Sequence, residues 1–193
     1  MIKSWQEQYL KTRNQPPSLI LVKGVSFVQN KGTAIDLGSG NLVDVKFLLS
    51  QGFKKVIAMD KELPHEELLI DLPEDRFEFI QSKYDEFEFP ENQYDLVNAH
   101  YSLPFSSPKT FDKVWGSIEK SLVNGGIFTG QFFGINDQWN DKTRDMTFHT
   151  EQEIRNLLNN MEILNFAEEE IDRKLASGDK KHWHLFHVIA KTK

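Results

Sequence analysis

The chain predicts an α/β fold: a doubly wound, mostly parallel sheet with helices on both faces and an antiparallel C-terminal strand. Three observations predict it. From residue 31 short apolar runs alternate with stretches of helical periodicity, the pattern of strand–helix–strand units. Gly32, Gly52 and Asn124-Gly125-Gly126 punctuate those runs as turns. The last two apolar runs have no helix between them, so they pair antiparallel.

The elements follow in order. Residues 4 to about 14 are amphipathic through Trp5, Tyr9 and Leu10 and predict a short helix. Gln15-Pro16-Pro17-Ser18 ends it, because proline neither continues a helix nor leaves its predecessor free to do so. Ser18 is placed to cap a second helix over roughly 19–29. Thr33-Ala-Ile-Asp-Leu37 predicts the first strand, and Leu42, Val45, Leu48 and Leu49 recur at helical spacing up to Gly52. Val56 to Met59 predicts the second strand, and 62–71 a short helix with Pro64 near its start. Phe77–Ile80 and Tyr94–Ala99 predict the third and fourth strands. Phe111, Val114, Ile118 and Leu122 form one helical stripe stopped at Asn124-Gly125-Gly126, and Ile127–Phe133 follows as the fifth strand. Thr150-Glu-Gln-Glu153 has the form of a capping box before a helix that buries Ile154, Leu157, Leu158 and Met161. Ile163 to about Ile171 and His182–Lys191 form the final pair, with Ser177-Gly178-Asp179 between them. No repeat, low-complexity segment or linker interrupts the chain. Residues 1–193 therefore read as a single domain in which 1–30 is an N-terminal helical segment. That segment either closes the site or packs on the sheet flank.

Composition narrows the class. The chain has 193 residues, 39% hydrophobic and 27% charged, as in ordinary globular proteins. There is no cysteine, so disulfides and thiolate metal sites are excluded and a reducing compartment is expected. No apolar stretch approaches the roughly 20 residues that span a bilayer, and the N-terminus has no apolar signal core. A cytoplasmic protein with no membrane association is expected. The net charge of −6 disfavours nucleic acid, whose binding rests on Lys and Arg. Lys54-Lys55 and Lys180-Lys181 read as solvated loop charges.

Two strand ends carry the chemistry. Asp36-Leu-Gly-Ser-Gly40 opens a glycine turn into a helix, and Val56-Ile-Ala-Met-Asp60 delivers a second acid one strand later. A tight strand-to-helix turn also uses glycines, and Asp60 alone also suits a helix cap. In register, however, the two describe a nucleoside crevice beyond the carboxyl ends of the strands. A nicotinamide site wants Gly-x-Gly-x-x-Gly with its diphosphate on the helix N-terminus. Here Val43 holds the third glycine position, and Asp36 would repel a diphosphate. A sulfonium ligand with an amino group is favoured by the same acid. These electrostatics select S-adenosylmethionine over NAD.

From about residue 31 the chain resembles the class I S-adenosylmethionine-dependent methyltransferases, particularly the small bacterial type. Ala34–Gly40 resembles their first motif and Val56–Asp60 their ribose-binding strand. Gln93–Asn98 resembles their fourth-strand motif and Leu122–Phe128 their turn into strand five. The resemblance implies a seven-stranded, Rossmann-like sheet and S-adenosylmethionine as cofactor. It implies that Asp36 bonds the methionine moiety, that Gly38 and Gly40 admit the ligand, and that Asp60 takes the ribose hydroxyls. Lys61 would lie beside the adenine, and Asn98 would face the methionine end through its carbonyl. Two departures stand out. Leu42 replaces a small residue of the first motif. Ile80-Gln-Ser-Lys-Tyr-Asp85 lacks an acid at the usual adenine position, so Ser82 or Lys83 falls nearest the base.

The acceptor is expected to be a small molecule. His100 and Tyr101, after the fourth strand, are the candidate catalytic residues, since a neutral amine or hydroxyl needs its proton removed and His is suited to that near pH 7. The other reading of His100 is a residue packed beside the cofactor without proton transfer. Phe105, the 134–149 stretch, and Trp5 or Tyr9 are expected around the acceptor; the segment from Asn136 to Thr147 reads equally as a lid and as a solvated loop. His182 and His184 share a strand face but lack a third defined ligand, so no metal is expected and they read as sheet-surface histidines. The readings carried beside the methyltransferase are a non-catalytic, cofactor-binding or interaction protein, and an NAD-dependent oxidoreductase. Nothing in the sequence fixes the oligomeric state.

Overall fold

The structure, a computed structural model, describes residues 5–174 and 180–193. Two helices, α1 (Trp5–Thr12) and α2 (Leu19–Val25), precede the sheet. Then come β1 (Thr33–Leu37), α3 (Val43–Ser50), β2 (Lys55–Asp60), α4 (Glu66–Leu69), β3 (Phe77–Gln81) and β4 (Tyr94–Ala99). A 3-10 turn at Leu103–Phe105 leads to α5 (Phe111–Ser121) and β5 (Leu122–Gly134). The chain finishes with β6 (Phe148–His149), α6 (Glu151–Leu157), β7 (Met161–Lys174) and β8 (Lys180–Thr192).

Among the described residues the strands form one sheet in the order β3-β2-β1-β4-β5-β8-β7, with the short β6 beside β5. β1 to β5 are mutually parallel, while β8 runs antiparallel to β5 and β7. This matches the Rossmann-like sheet that the sequence resemblance implies. The strand order reverses between β1 and β4, which opens a crevice beyond their carboxyl ends.

Alternation along the strands divides the core. Ile35, Leu37, Ile57, Met59 and Val97 face α5 and α6 through Phe111, Trp115, Ile118 and Ile154. Ala34, Val56, Ala58 and Leu96 face α2 and α3 through Leu21, Val25, Val45 and Leu48. Two-residue periodicity puts Asp36, Asp60 and Asn98 on the α2/α3 side, where the apolar rows end. Truncating a member such as Leu48, which is fully buried, to alanine costs about 2–5 kcal/mol.

The Thr150 capping box forms as expected: the Glu153 amide donates to Thr150 Oγ1 at 3.3 Å, and the Thr150 amide donates to Glu153 Oε2 at 2.7 Å. Other elements differ from expectation. α2 stops at Val25, and Ser18, although at its N-cap, makes no side-chain cap. Its amide instead donates to Asp44 Oδ1 at 2.8 Å. Asn124-Gly125-Gly126 does not end α5. The helix closes at Ser121 and β5 begins at once; its register against β4 slips between Tyr94 and Leu96, so the glycines lie in a bulge, with Gly125 at φ 75°.

The terminal hairpin is longer than its sequence pattern, and Ser177-Gly178-Asp179 falls outside the described residues. Lys181 is not a solvated loop charge. It is 1% exposed, pairs with Asp137 at 2.6 Å and lies 3.5 Å from the Trp183 ring centroid. His184 is likewise buried: it accepts from the Asn136 amide at 3.1 Å and meets Glu168 at 2.8 Å. His182 is exposed between Asp172 and Glu170. Among the described residues no cluster of three His, Asp or Glu side chains is arranged for a metal ion, and no helix is long and apolar enough to cross a membrane.

Candidate active site

The turn after β1 is bent back onto β2. The Gly38 and Ser39 amides both donate to the Met59 carbonyl, at 2.7 and 3.1 Å. Gly38 has φ 72° and Gly40 φ 45°, the left-handed region where side chains are strained. At Gly38 a Cβ would collide with Ser102 Cβ and stand 2.6 Å from Tyr84 Oη. The demand for glycine there therefore comes from the protein's own packing. At Gly40 a Cβ would stand 3.0 Å from the Tyr9 ring, so α1 docks directly on the turn. Leu42 also has a left-handed backbone, φ 58°, and its fully buried side chain anchors the start of α3.

Behind the turn lies a buried acid pair. Asp36 and Asn98 are cross-strand partners, and the Asn98 amide group donates to Asp36 Oδ1 at 2.7 Å and Asp44 Oδ2 at 3.1 Å. Thr129 on β5 donates to Asn98 Oδ1 at 2.8 Å, which fixes the amide's orientation. Burial, with the Asp44 carboxylate adding to it, holds the Asp36 carboxyl well above the usual range; the Asn98 bond opposes the shift. Such a pair favours an incoming cation.

Asp60 closes β2. Its Oδ2 accepts from the Gly40 amide at 3.0 Å and from the Tyr9 hydroxyl at 3.4 Å, and its Oδ1 from the Glu62 amide at 2.9 Å. The Lys61 ammonium stands 6.0 Å from the Trp5 ring centroid. Ser82 and Lys83 line the same rim; the Ser82 amide donates to the Asp60 carbonyl, and the Lys83 ammonium is turned to Glu86 at 2.8 Å.

On the far side His100 and Tyr101 leave β4. Tyr101 adopts φ 52°, and its amide donates to Gln131 Oε1 at 3.0 Å. Ser102 Oγ donates to the Leu37 carbonyl, tying this turn to β1. Phe105 meets Trp5 edge-on at 6.1 Å and Trp139 at 6.2 Å. Trp139 belongs to the 136–147 segment, which is pinned by Asp137–Lys181 and contributes Asp145 to the cavity. His149 lies off the cavity, with its ring 4.7 Å from that of Phe111.

These groups surround one cavity of about 520 Å³, within the usual range for small-ligand sites. Asp36, Gly38, Gly40, Asp60, Lys61, Ser82, Lys83, His100 and Tyr101 all line it. Asn98 does not; it is wholly buried behind the wall, holding the two carboxylates. The residues present suit S-adenosylmethionine. A buried acid pair would suit the ammonium group of the methionine moiety, and a third acid at the end of β2 would suit hydroxyl donors.

Residues 35–129 match the methyltransferase domain family. These residues form a methyltransferase domain, and S-adenosylmethionine is the methyl donor. Solved structures share the fold of this methyltransferase. The Burkholderia thailandensis 1,6-didemethyltoxoflavin-N1-methyltransferase, with bound 1,6-didemethyltoxoflavin and S-adenosylhomocysteine, is 18% identical over 96% of this chain and 84% of its own, with a TM-score of 0.69. TehB from Haemophilus influenzae is 13% identical over 98% of this chain and 68% of its own, with a TM-score of 0.75. A putative S-adenosylmethionine-dependent methyltransferase from Listeria monocytogenes is 14% identical over 89% and 97%, with a TM-score of 0.63. No curated protein sequence matches the chain.

Four site residues of this methyltransferase escaped the sequence reading. Asp44 lines the cavity from the first turn of α3, and its signal is an acid in phase with the buried Leu48. Tyr84 and Ser102 meet beside Gly38 from separate loops, and Gln131 holds Tyr101 from β5. These last three have no local signal, because only the tertiary fold brings them together.

Proposed function

We propose that this methyltransferase transfers a methyl group to a small-molecule acceptor inside the cavity, with Asp36, Gly38, Gly40 and Asp60 on the donor side and His100 and Tyr101 nearest the acceptor. The donor supplies an electrophilic methyl group on a positively charged sulfur. Asp36, held by Asn98, would bind the ammonium group of the methionine moiety, and Asp60 would accept from the ribose hydroxyls. Lys61, Ser82 and Lys83 would border the adenine. Positioning of the acceptor against the methyl carbon does most of the catalytic work in such a transfer.

The observation that carries the reading is the partial cover that α1 gives the cavity. α1 lies across the strand ends, with Tyr9 on Gly40 and Trp5 against Phe105. A partly covered, aromatic-sided cavity suits a small, partly apolar acceptor, and the net charge of −6 works against polyanions. Calorimetry tests the donor half: S-adenosylmethionine and S-adenosylhomocysteine are expected to bind one to one, and NAD is expected not to bind. Tight NAD binding with no response to the other two would overturn it. A donor-bound structure tests the acceptor half. A methyl group directed away from residues 100–105, into an open basic groove, would point to a macromolecular substrate.

A further inference from the structure

The second acid of the buried pair, Asp44, makes one contact that binding of the donor does not account for. Asp44 turns Oδ2 toward His100 Nδ1, 3.5 Å away. Its carboxylate is fixed from two other elements: Oδ1 accepts the Ser18 amide at 2.8 Å, and Oδ2 accepts the Asn98 amide group at 3.1 Å. Both Asp44 and His100 line the cavity. A carboxylate facing Nδ1 favours the tautomer with the proton on that nitrogen and leaves the Nε2 lone pair to act as a base. Hydrogen-bond distances of this kind tighten when reactants bind. The groups bearing on the ring are Asp44 on α3 and His187 on β8, the latter held 3.3 Å from Glu169 on β7; the Tyr101 ring packs at 4.8 Å. Burial lowers the imidazole's affinity for a proton, Asp44 opposes this, and His187 adds to it. The balance keeps His100 neutral near pH 7, as a base must be.

We propose that His100 is the catalytic base of the transfer and Asp44 its positioning residue, so that the acceptor is a weakly acidic O–H or N–H compound. The inference rests on the reading that donor and acceptor share this cavity. In the step, the acceptor's proton passes to His100 Nε2 as the freed electron pair bonds to the methyl carbon. The carbon–sulfur bond breaks with its electrons going to sulfur, which becomes a neutral thioether. The imidazolium then releases its proton to solvent.

The test combines ligand binding, histidine NMR and two probe acceptors of different acidity, phenol and 4-nitrophenol. H100Q is expected to bind S-adenosylhomocysteine within about threefold of wild type. It is expected to lose on the order of 10²-fold in kcat on phenol, with KM little changed. The loss on 4-nitrophenol, already largely ionised at pH 8, is expected to be much smaller. In the apoprotein, D44N is expected to move the His100 titration to lower pH and leave that of His149 unmoved. An unmoved His100 titration in folded D44N removes Asp44 from the role. Lost S-adenosylhomocysteine binding in H100Q assigns His100 to the donor site. No turnover of either phenol, or an equal loss on both, overturns the base and the acceptor class. Failure of the wild-type protein to bind S-adenosylhomocysteine strikes the donor reading instead, and is seen before any variant is made.

Discussion

The two sides of the cavity are built by different means. The proposed donor side consists of strand ends and a backbone turn: Gly38 and Ser39 amides on the Met59 carbonyl, Gly40 and Glu62 amides on Asp60, and acids held by Asn98. The proposed acceptor side consists of side chains from two distant segments, Trp5 of α1 and His100, Tyr101 and Phe105 after β4. Phe105 meets Trp5 edge-on and is backed by Trp139, which stands off the cavity beside the buried Lys181–Asp137 pair. A backbone-built site allows little change without loss of the fold. A side-chain-built wall can be rebuilt while its supports stay in place, which is how one fold serves many acceptors.

The largest effect is expected at the donor turn. Gly38→Val adds backbone strain of about 1–3 kcal/mol and overpacking of about 1–3 kcal/mol against Ser102 and Tyr84. Thermal unfolding should show a loss of about 2–6 kcal/mol, accompanied by loss of S-adenosylhomocysteine binding. A variant that folds normally and loses only binding would shift the role of the glycine from packing to ligand space.

Next comes the support of the acceptor wall. Lys181→Met strands the buried Asp137 carboxylate, and breaking a buried pair costs about 3–5 kcal/mol. Replacing both partners with apolar residues should recover much of this. In denaturant melts at permissive temperature, the folded single variant should still bind S-adenosylhomocysteine within about threefold. A parallel loss of donor affinity would break the division between the two sides.

Asp60→Ala is expected to weaken S-adenosylhomocysteine binding by about 1–3 kcal/mol, the range for unpaired buried polar groups, as read by calorimetry. Part of that loss should appear in stability too, because the Gly40 and Glu62 amides lose their acceptor. Asp60→Asn should restore stability before it restores affinity.

The smallest effect is a pH dependence. Asp36 is held well above the usual carboxylate range, by burial first and Asp44 second. The apoprotein therefore holds a proton that the unfolded chain has released, and this site's contribution to stability falls as pH rises from the ordinary carboxylate range through the raised value. Asp36→Asn, which keeps an acceptor for Asn98, should gain in melting temperature relative to wild type between pH 5 and pH 8 while losing donor affinity. A pH-independent difference would mean that Asp36 is ionised throughout.

Most of the fold was legible because it is written in local patterns. The alternation of Ile35 and Leu37 with Ala34 and Asp36 sets both faces of β1, and Thr150 with Glu153 sets the start of α6. The strand ends were legible for the same reason, and so were the positions of Asp36 and Asp60 on the cavity. Lys181 was misread because its partners, Asp137 and Trp139, lie more than forty residues away. Burial of a charge depends on such partners and not on its neighbours in sequence. The β5 bulge was misread because glycines that stop a helix and glycines that break strand register look alike. Asn98 was placed at the right strand end, but its task of holding Asp36 and Asp44 depends on an acid from α3.

α1 has no buried residue. It is held to the rest of the chain by contacts such as Tyr9 on Gly40 and Asp60, Gln6 on the Leu63 carbonyl and Asn41 on Thr12. An eight-residue helix has little helical stability of its own in water, so its attachment is among the first parts of the molecule to come loose. Ligand traffic then needs no distortion of the sheet. The residence time of a product would follow how long this short segment stays down, so that a local opening beside the cavity would set the turnover rate.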